Sequence, residues 1–177
     1  GDRGIALSAL LSSSRQKSII INPLLPWLAR AYVASTRHAG MKGGDRAWFT
    51  QAPLPFKCPG APQKMAYLSA DHLKKKGIDC ELHFLTHAPG MFAVPLFATE
   101  LVKVAARHNI NVHFEHNLIA VDGENRKATF EVVGRENAGS TLEMEFEMLH
   151  MTPPQSPPKE IQDSPLANES GFIDLDQ

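Results

Sequence analysis

Residues 46–114 read RAWFTQAPLPFKCPGAPQKMAYLSADHLKKKGIDCELHFLTHAPGMFAVPLFATELVKVAARHNINVHF, and their apolar pattern switches between strand and helix periods. Arg46–Thr50 is a short apolar run bounded by the Pro-rich turn Ala52–Pro59, which reads as a buried strand. A helix is expected over Pro62–Lys76. Pro62 suits a first helical position, where an N–H is unpaired anyway. Met65, Leu68 and His72/Leu73 mark one face, Lys74–Lys76 complement the C-terminal dipole, and Gly77 supplies the stop. Cys80–Phe84 alternates apolar and polar as a strand does. Val94, Phe97, Leu101, Val104 and Ala105 define a second helix over Val94–His108, and Asn111–Phe114 a third strand.

Downstream the character changes. Asn117–Val121, Lys127–Val133 and Thr141–Phe146 read as three strands joined by polar turns, a meander. Leu142, Met144 and Phe146 face one way, and Glu143, Glu145 and Glu147 form a solvated stripe on the other. Met148–Met151 is a further apolar strand, closed by Thr152-Pro153-Pro154. Strands separated by helices pair in parallel through right-handed crossovers. The fold class is therefore α/β: a Rossmann-like parallel sheet with an antiparallel β-meander insertion on one connection.

The chain divides into three regions. Residues 1–42 read as an irregular N-terminal segment, residues 43–154 as the Rossmann-like domain, and residues 155–177 as a Pro-rich loop and its continuation. The apolar stretch Ser18–Ser35 is interrupted by Pro23, Pro26 and Arg30, so it reads as a packing loop or an amphipathic surface anchor rather than a span. The chain opens on Gly1 rather than Met, as expected of a processed product, an excised piece or an incomplete gene reading, and no signal peptide is readable.

Composition excludes several classes. The 177 residues are 43% hydrophobic and 21% charged, enough apolar material for a core. Lys+Arg number 18 against Asp+Glu 19, a net charge of -1 that gives no basic excess to hold nucleic acid. Two cysteines are too few for a disulfide scaffold. No Cys/His spacing resembles a closed zinc site, and His113 and His116, three apart on a strand, should face opposite sides, so no metal is expected.

The chemistry concentrates in Lys57-Cys58-Pro59-Gly60-Ala61-Pro62-Gln63-Lys64, between a strand's carboxyl end and a helix. Open α/β sheets bind ligands at that edge. A cysteine at a helix N-terminus lies in a positive partial charge that favours the thiolate, with Lys57 and Lys64 adding to it. Gly60 lets a ligand approach the backbone closely. An inert cysteine beside a turn is the alternative on spacing alone. Cys80 reads as a core residue.

Phe49–Ser69, which contains this segment, resembles the central cysteine motif of sulfide:quinone oxidoreductases, in the branch that includes the mitochondrial enzyme. The resemblance continues through Met91-Phe92-Ala93-Val94-Pro95, Asn117–Val121, Glu147–Pro158 and Ser164–Ala167, covering about Gly43 to Gln177. It implies the second nucleotide-binding-like domain of a glutathione reductase-type flavoprotein, with residues 155–177 starting the return to an FAD domain. It also implies FAD as cofactor. Hydrogen sulfide, a quinone and a small sulfur acceptor are the implied partners, with peripheral attachment to the mitochondrial inner membrane or a bacterial cytoplasmic membrane. Cys58 matches one of the family's two redox cysteines. Lys64, Gly60 and Pro62 are expected near the flavin, with Lys64 stabilising negative charge on a reduced flavin or thiolate.

Departures from the family pattern are specific. No G-x-G-x-x-G occurs, since Gly40-Met41-Lys42-Gly43-Gly44 has the wrong spacing. The second redox cysteine belongs well downstream in the family, and Cys80 does not match it. Pro59 stands where a small residue such as Ala is usual, and residues 1–40 do not resemble the corresponding segment. The chain alone is therefore expected to be inactive. Two other readings remain: a flavin-subunit fragment of a sulfide dehydrogenase with a cytochrome acceptor, and a non-catalytic domain derived from the enzyme.

Overall fold

The computed structural model describes residues 40–56 and 58–175, together with a short strand over residues 19–21. Strand β1 (Ile19–Ile21) is followed by β2 (Arg46–Gln51), helix α1 (Gly60–Lys75), β3 (Glu81–Thr86), α2 (Pro95–Arg107) and β4 (Ile110–His113). Then come β5 (His116–Asp122), β6 (Lys127–Val132), β7 (Thr141–Glu145), β8 (Met148–Met151) and α3 (Lys159–Gln162). Strands β1-β8-β2-β3-β4 form a parallel sheet in that order, and β5-β6-β7 an antiparallel one. The α/β class, the meander and the returning strand β8 are as the sequence implies.

The alternation of side chains along each parallel strand builds two cores. Ala47 and Phe49 of β2, Leu82 and Phe84 of β3, and Met148 of β8 pack with Ala66, Ala70 and Leu73 of α1 and Ala105 of α2. Trp48, Leu85, Leu149 and Met151 point the other way, onto Ala128 and Phe130 of β6 and onto Phe146. Helices thus cover one face of the parallel sheet and the meander covers the other.

Local chemistry fixes the ends of elements. After α1, the Gly77 N–H donates to the Lys74 carbonyl at 3.1 Å and the Ile78 N–H to the Leu73 carbonyl at 3.0 Å, with Gly77 at φ 67°. This Schellman arrangement needs the left-handed residue that glycine supplies without strain. Helix α1 begins at Gly60, two residues before Pro62, so Pro62 stands within the first turn and is buried.

Four expectations are corrected. Ile19–Ile21, inside the segment read as irregular, pairs in parallel with β8 in the register Ile19↔Leu149 to Ile21↔Met151; the rest of Ser18–Ser35 lies outside the described residues. The acidic stripe is only partly solvated: Arg46 reaches Glu145 at 3.1 Å and Glu147 at 3.2 Å, clamping the meander to the parallel sheet. Burial pushes the Glu147 carboxyl up, but the Arg46 guanidinium and backbone N–H outweigh it and hold it below its ordinary range. The face of α2 is not wholly a core face. Val94 at its N-cap and Phe97 are exposed, because α2 packs mainly against the edge strand β4 and buries only Ala105.

The fourth correction concerns the histidines. Strand β4 ends at His113, Glu115 at φ 58° turns the chain, and β5 starts at His116, so the two rings lie together with centroids 5.9 Å apart. His83 Nδ1 and His113 Nε2 are 3.0 Å apart, one donating to the other, and His83 stacks on Trp48 at 4.0 Å. Burial, then the neighbouring His83 and His116, hold the His113 imidazole down at about 4. Burial lowers His83 as well, against the pull of Glu81. Below its ordinary value of 6.5, each ring takes up a proton more readily in the unfolded chain than in the folded one. Stability is therefore fully present above pH 6.5 and falls as pH drops from 6.5 towards about 4. Thermal midpoints measured at successive pH values should decline across that window, and His113→Leu should flatten the decline.

Candidate functional site

Three loops meet at the carboxyl edge of the parallel sheet: residues 52–59 after β2, 87–94 after β3, and 152–158 after β8. The first carries Cys58, which is exposed, with its thiol free. Its carbonyl accepts from the Ala61 N–H at 3.4 Å, and Pro59 caps α1 without any side-chain hydrogen bond. At the start of α1 the Ala61 N–H is thus taken by the Cys58 carbonyl and Pro62 has none, so what the helix offers Cys58 is the positive end of its dipole rather than a row of free donors. At Gly60 nothing lies within 4 Å of where a Cβ would stand, so space over the helix start is open. Lys64 is exposed one turn further along α1. Lys57 lies outside the described residues. Pro62 is buried, so among the proposed flavin neighbours only Gly60 and Lys64 present surface at this edge.

Gln63 ties the site together. Only 2% exposed, it donates from Nε2 to the Met91 carbonyl at 2.5 Å and accepts from the Tyr67 hydroxyl at 3.4 Å. It thereby holds the start of α1 against the 87–94 loop. Sequence reading passed over it, because a glutamine on a helix normally reads as a solvated residue; its place between Pro62 and Ala66, both buried, was the available signal. Leu54, Val94, Leu96 and Phe97 stand exposed on or near this edge, at 77%, 44%, 70% and 54%. Apolar surface of that extent beside an exposed thiol is of the kind that another part of a protein covers.

Cys80 takes no part. It lies just before β3, half-buried against the helix-side core, and its Sγ donates to the Lys42 carbonyl at 3.3 Å. Burial, reinforced by Asp45 and Asp79, pushes its thiol up, the opposite of activation. A cleft of about 330 Å³ beside it, lined in part by Lys74, Arg107 and His108, sits at the amino ends of β3 and β4. That is the edge away from Cys58. Among the described residues no three or more His, Cys, Asp or Glu side chains converge to hold a metal.

Comparison with known proteins agrees with the motif. No family model matches the chain. It is 36% identical over 140 residues to the Mus musculus protein named sulfide:quinone oxidoreductase, mitochondrial, an alignment covering 78% of this chain and 30% of that protein. Among solved structures, the sulfide:quinone oxidoreductase of Aquifex aeolicus superposes with a TM-score of 0.67 at 17% identity, over 88% of this chain and 41% of that one. A chain of the Tetrahymena thermophila mitochondrial ATP synthase gives 0.70 at 13% identity, over 99% and 42%. At such identities these two structures speak for the fold alone. The chain spans about 30% of the length of the curated relatives it matches. Cysteine motif, fold and sequence identity agree: over 140 residues the chain is similar to the sulfide:quinone oxidoreductases.

Proposed function

We propose that this chain is the part of a sulfide:quinone oxidoreductase that presents one redox cysteine, Cys58, to the flavin. The observation that carries the reading is the exposed thiol of Cys58 at the uncapped start of α1, on the carboxyl edge of the parallel sheet. Hydrosulfide attacks a disulfide joining Cys58 to a second cysteine supplied outside these residues. The S–S bond breaks, one cysteine becomes a persulfide and the other leaves as a thiolate. The persulfide's outer sulfur passes to a small nucleophilic acceptor, leaving that cysteine as a thiolate, and the two thiolates re-form the disulfide as two electrons pass on towards the quinone. The sulfide sulfur is oxidised by two electrons, and a quinone is reduced to its quinol.

FAD, when bound, supplies the two-electron acceptor between them. The residues present fit one side of such a group: open space over Gly60, the positive end of α1 and the cationic Lys64 all favour an electron-rich ring. They do not form a whole dinucleotide site, and no G-x-G-x-x-G occurs in the 177 residues. The protein's place is the mitochondrial inner membrane, held peripherally; a bacterial cytoplasmic membrane is the equivalent site.

Reconstitution tests the reading. A protein joining this chain to the remaining segments of its relatives should reduce decylubiquinone when sulfide is added, and the 177 residues alone should not. Turnover by the isolated chain, or none by the longer protein, contradicts it.

A further inference from the structure

Local chemistry holds the start of α1 weakly. Pro59 caps it without a side-chain hydrogen bond, and no acidic residue stands in its first turn to meet the helix dipole. Gly60, the first helical residue, adds backbone freedom that favours fraying. Cys58 hangs on the same turn, its carbonyl accepting from the Ala61 N–H at a long 3.4 Å. Gln63, the fourth residue of α1, supplies a firmer hold. Its buried amide donates to the Met91 carbonyl at 2.5 Å, and burial makes such a bond stronger than an exposed one. The far end of that bond is itself anchored. Met91 is 2% exposed within the helix-side core. The Ala88 N–H donates to the Thr86 hydroxyl at 3.1 Å, and the Glu115 N–H donates to the Ala88 carbonyl at 3.2 Å. The 87–94 loop is thus fixed both to the end of β3 and to the turn before β5.

We infer that Gln63 is a positioning residue for Cys58: its amide locks the first turn of α1 to the anchored 87–94 loop and so keeps the Cys58 thiol at one place on the carboxyl edge. Tyr67 sets which end of the amide faces the loop. Its hydroxyl bonds to Oε1 at 3.4 Å, leaving Nε2 for the Met91 carbonyl. A carboxylate at this position would set acceptor against acceptor, so the amide is what the place requires. Where turnover is concerned, the inference rests on the function proposed above. Exchange between Cys58, a partner cysteine and hydrosulfide needs the reacting sulfurs held in register, and a displacement of about 1 Å can cost about 100-fold in rate.

A methanethiosulfonate nitroxide on Cys58, in the 177-residue chain carrying Cys80→Ser, reports the motion of this turn by electron paramagnetic resonance. Gln63→Met keeps the length and packing of the side chain but removes the donor. The mobile component of the spectrum should then grow at least about twofold, with the far-ultraviolet circular dichroism unchanged. Thr86→Val frees the Ala88 N–H at the far end and should move the label the same way by less; it decides alone if Gln63→Met does not fold. In a protein joining this chain to the remaining segments of its relatives, Gln63→Met should lower kcat for sulfide-dependent reduction of decylubiquinone about 10- to 100-fold and leave KM for the quinone unchanged. A label equally immobile in the parent and both variants overturns the positioning role. So does a mobilised label with full turnover in Gln63→Met. Mobilisation of the label, with no turnover even in the unsubstituted longer protein, sustains the positioning and sinks the sulfide reading instead.

Discussion

Cys58→Ser, made in a protein that unites this chain with the remaining segments of its relatives, should lower kcat for sulfide-dependent quinone reduction by at least about 1,000-fold, or ~4 kcal/mol of barrier. A serine oxygen cannot enter thiol–disulfide exchange, because it forms no labile bond to sulfur and leaves poorly. The loss should be confined to chemistry. Cys58 is exposed and its side chain supports no core, so the variant's stability should stay within about 0.5 kcal/mol of the parent. Steady-state rates paired with a denaturation curve give both quantities. An active Cys58→Ser protein would remove Cys58 from the mechanism.

Phe130→Ala should cost about 3–5 kcal/mol of folding free energy, a large share of the ~5–15 kcal/mol typical of a domain. Phe130 is fully buried at 0% exposure in the middle strand of the meander, facing Trp48 across 6.2 Å and enclosed with Leu149 and Met151. The same truncation at Phe97, 54% exposed on α2, should cost less than about 1 kcal/mol. Urea unfolding of the pair compares two identical chemical changes in opposite environments. Equal losses would contradict the layering in which the meander closes one face of the sheet.

The contrast between these two phenylalanines also shows where the sequence was legible. Periodicity located every element between Arg46 and Met151 to within a residue or two, because β2 and β8 bury both faces while the meander and α1 each bury one. The same helical spacing suggested that Val94 and Phe97 face the core. Spacing reports that a face is apolar, but not whether this chain or another segment covers it. Ile19–Ile21 was hidden for a related reason: its partner β8 lies about 130 residues away, and the prolines after it resemble a loop. His113 and His116 were misplaced because a strand period was carried across Glu115, where the backbone turns through positive φ. At the site, Cys58 stood out by residue type and position. Gln63 did not, since an amide acquires meaning only when burial removes its water.

Persulfide mapping tests the role of Cys58 in this chain by itself. The chain is first treated with 5,5′-dithiobis(2-nitrobenzoate), which converts its cysteines to mixed disulfides with 5-thio-2-nitrobenzoate, then briefly with sulfide, and its cysteine peptides are read by mass spectrometry. Hydrosulfide displaces thionitrobenzoate and leaves a persulfide on the attacked cysteine. The structure predicts the persulfide on Cys58, exposed beside the start of α1, well ahead of Cys80, half-buried and bonded to Lys42. A persulfide forming equally on both, or on Cys80 first, would contradict the assignment of Cys58 as the sulfide-reactive cysteine.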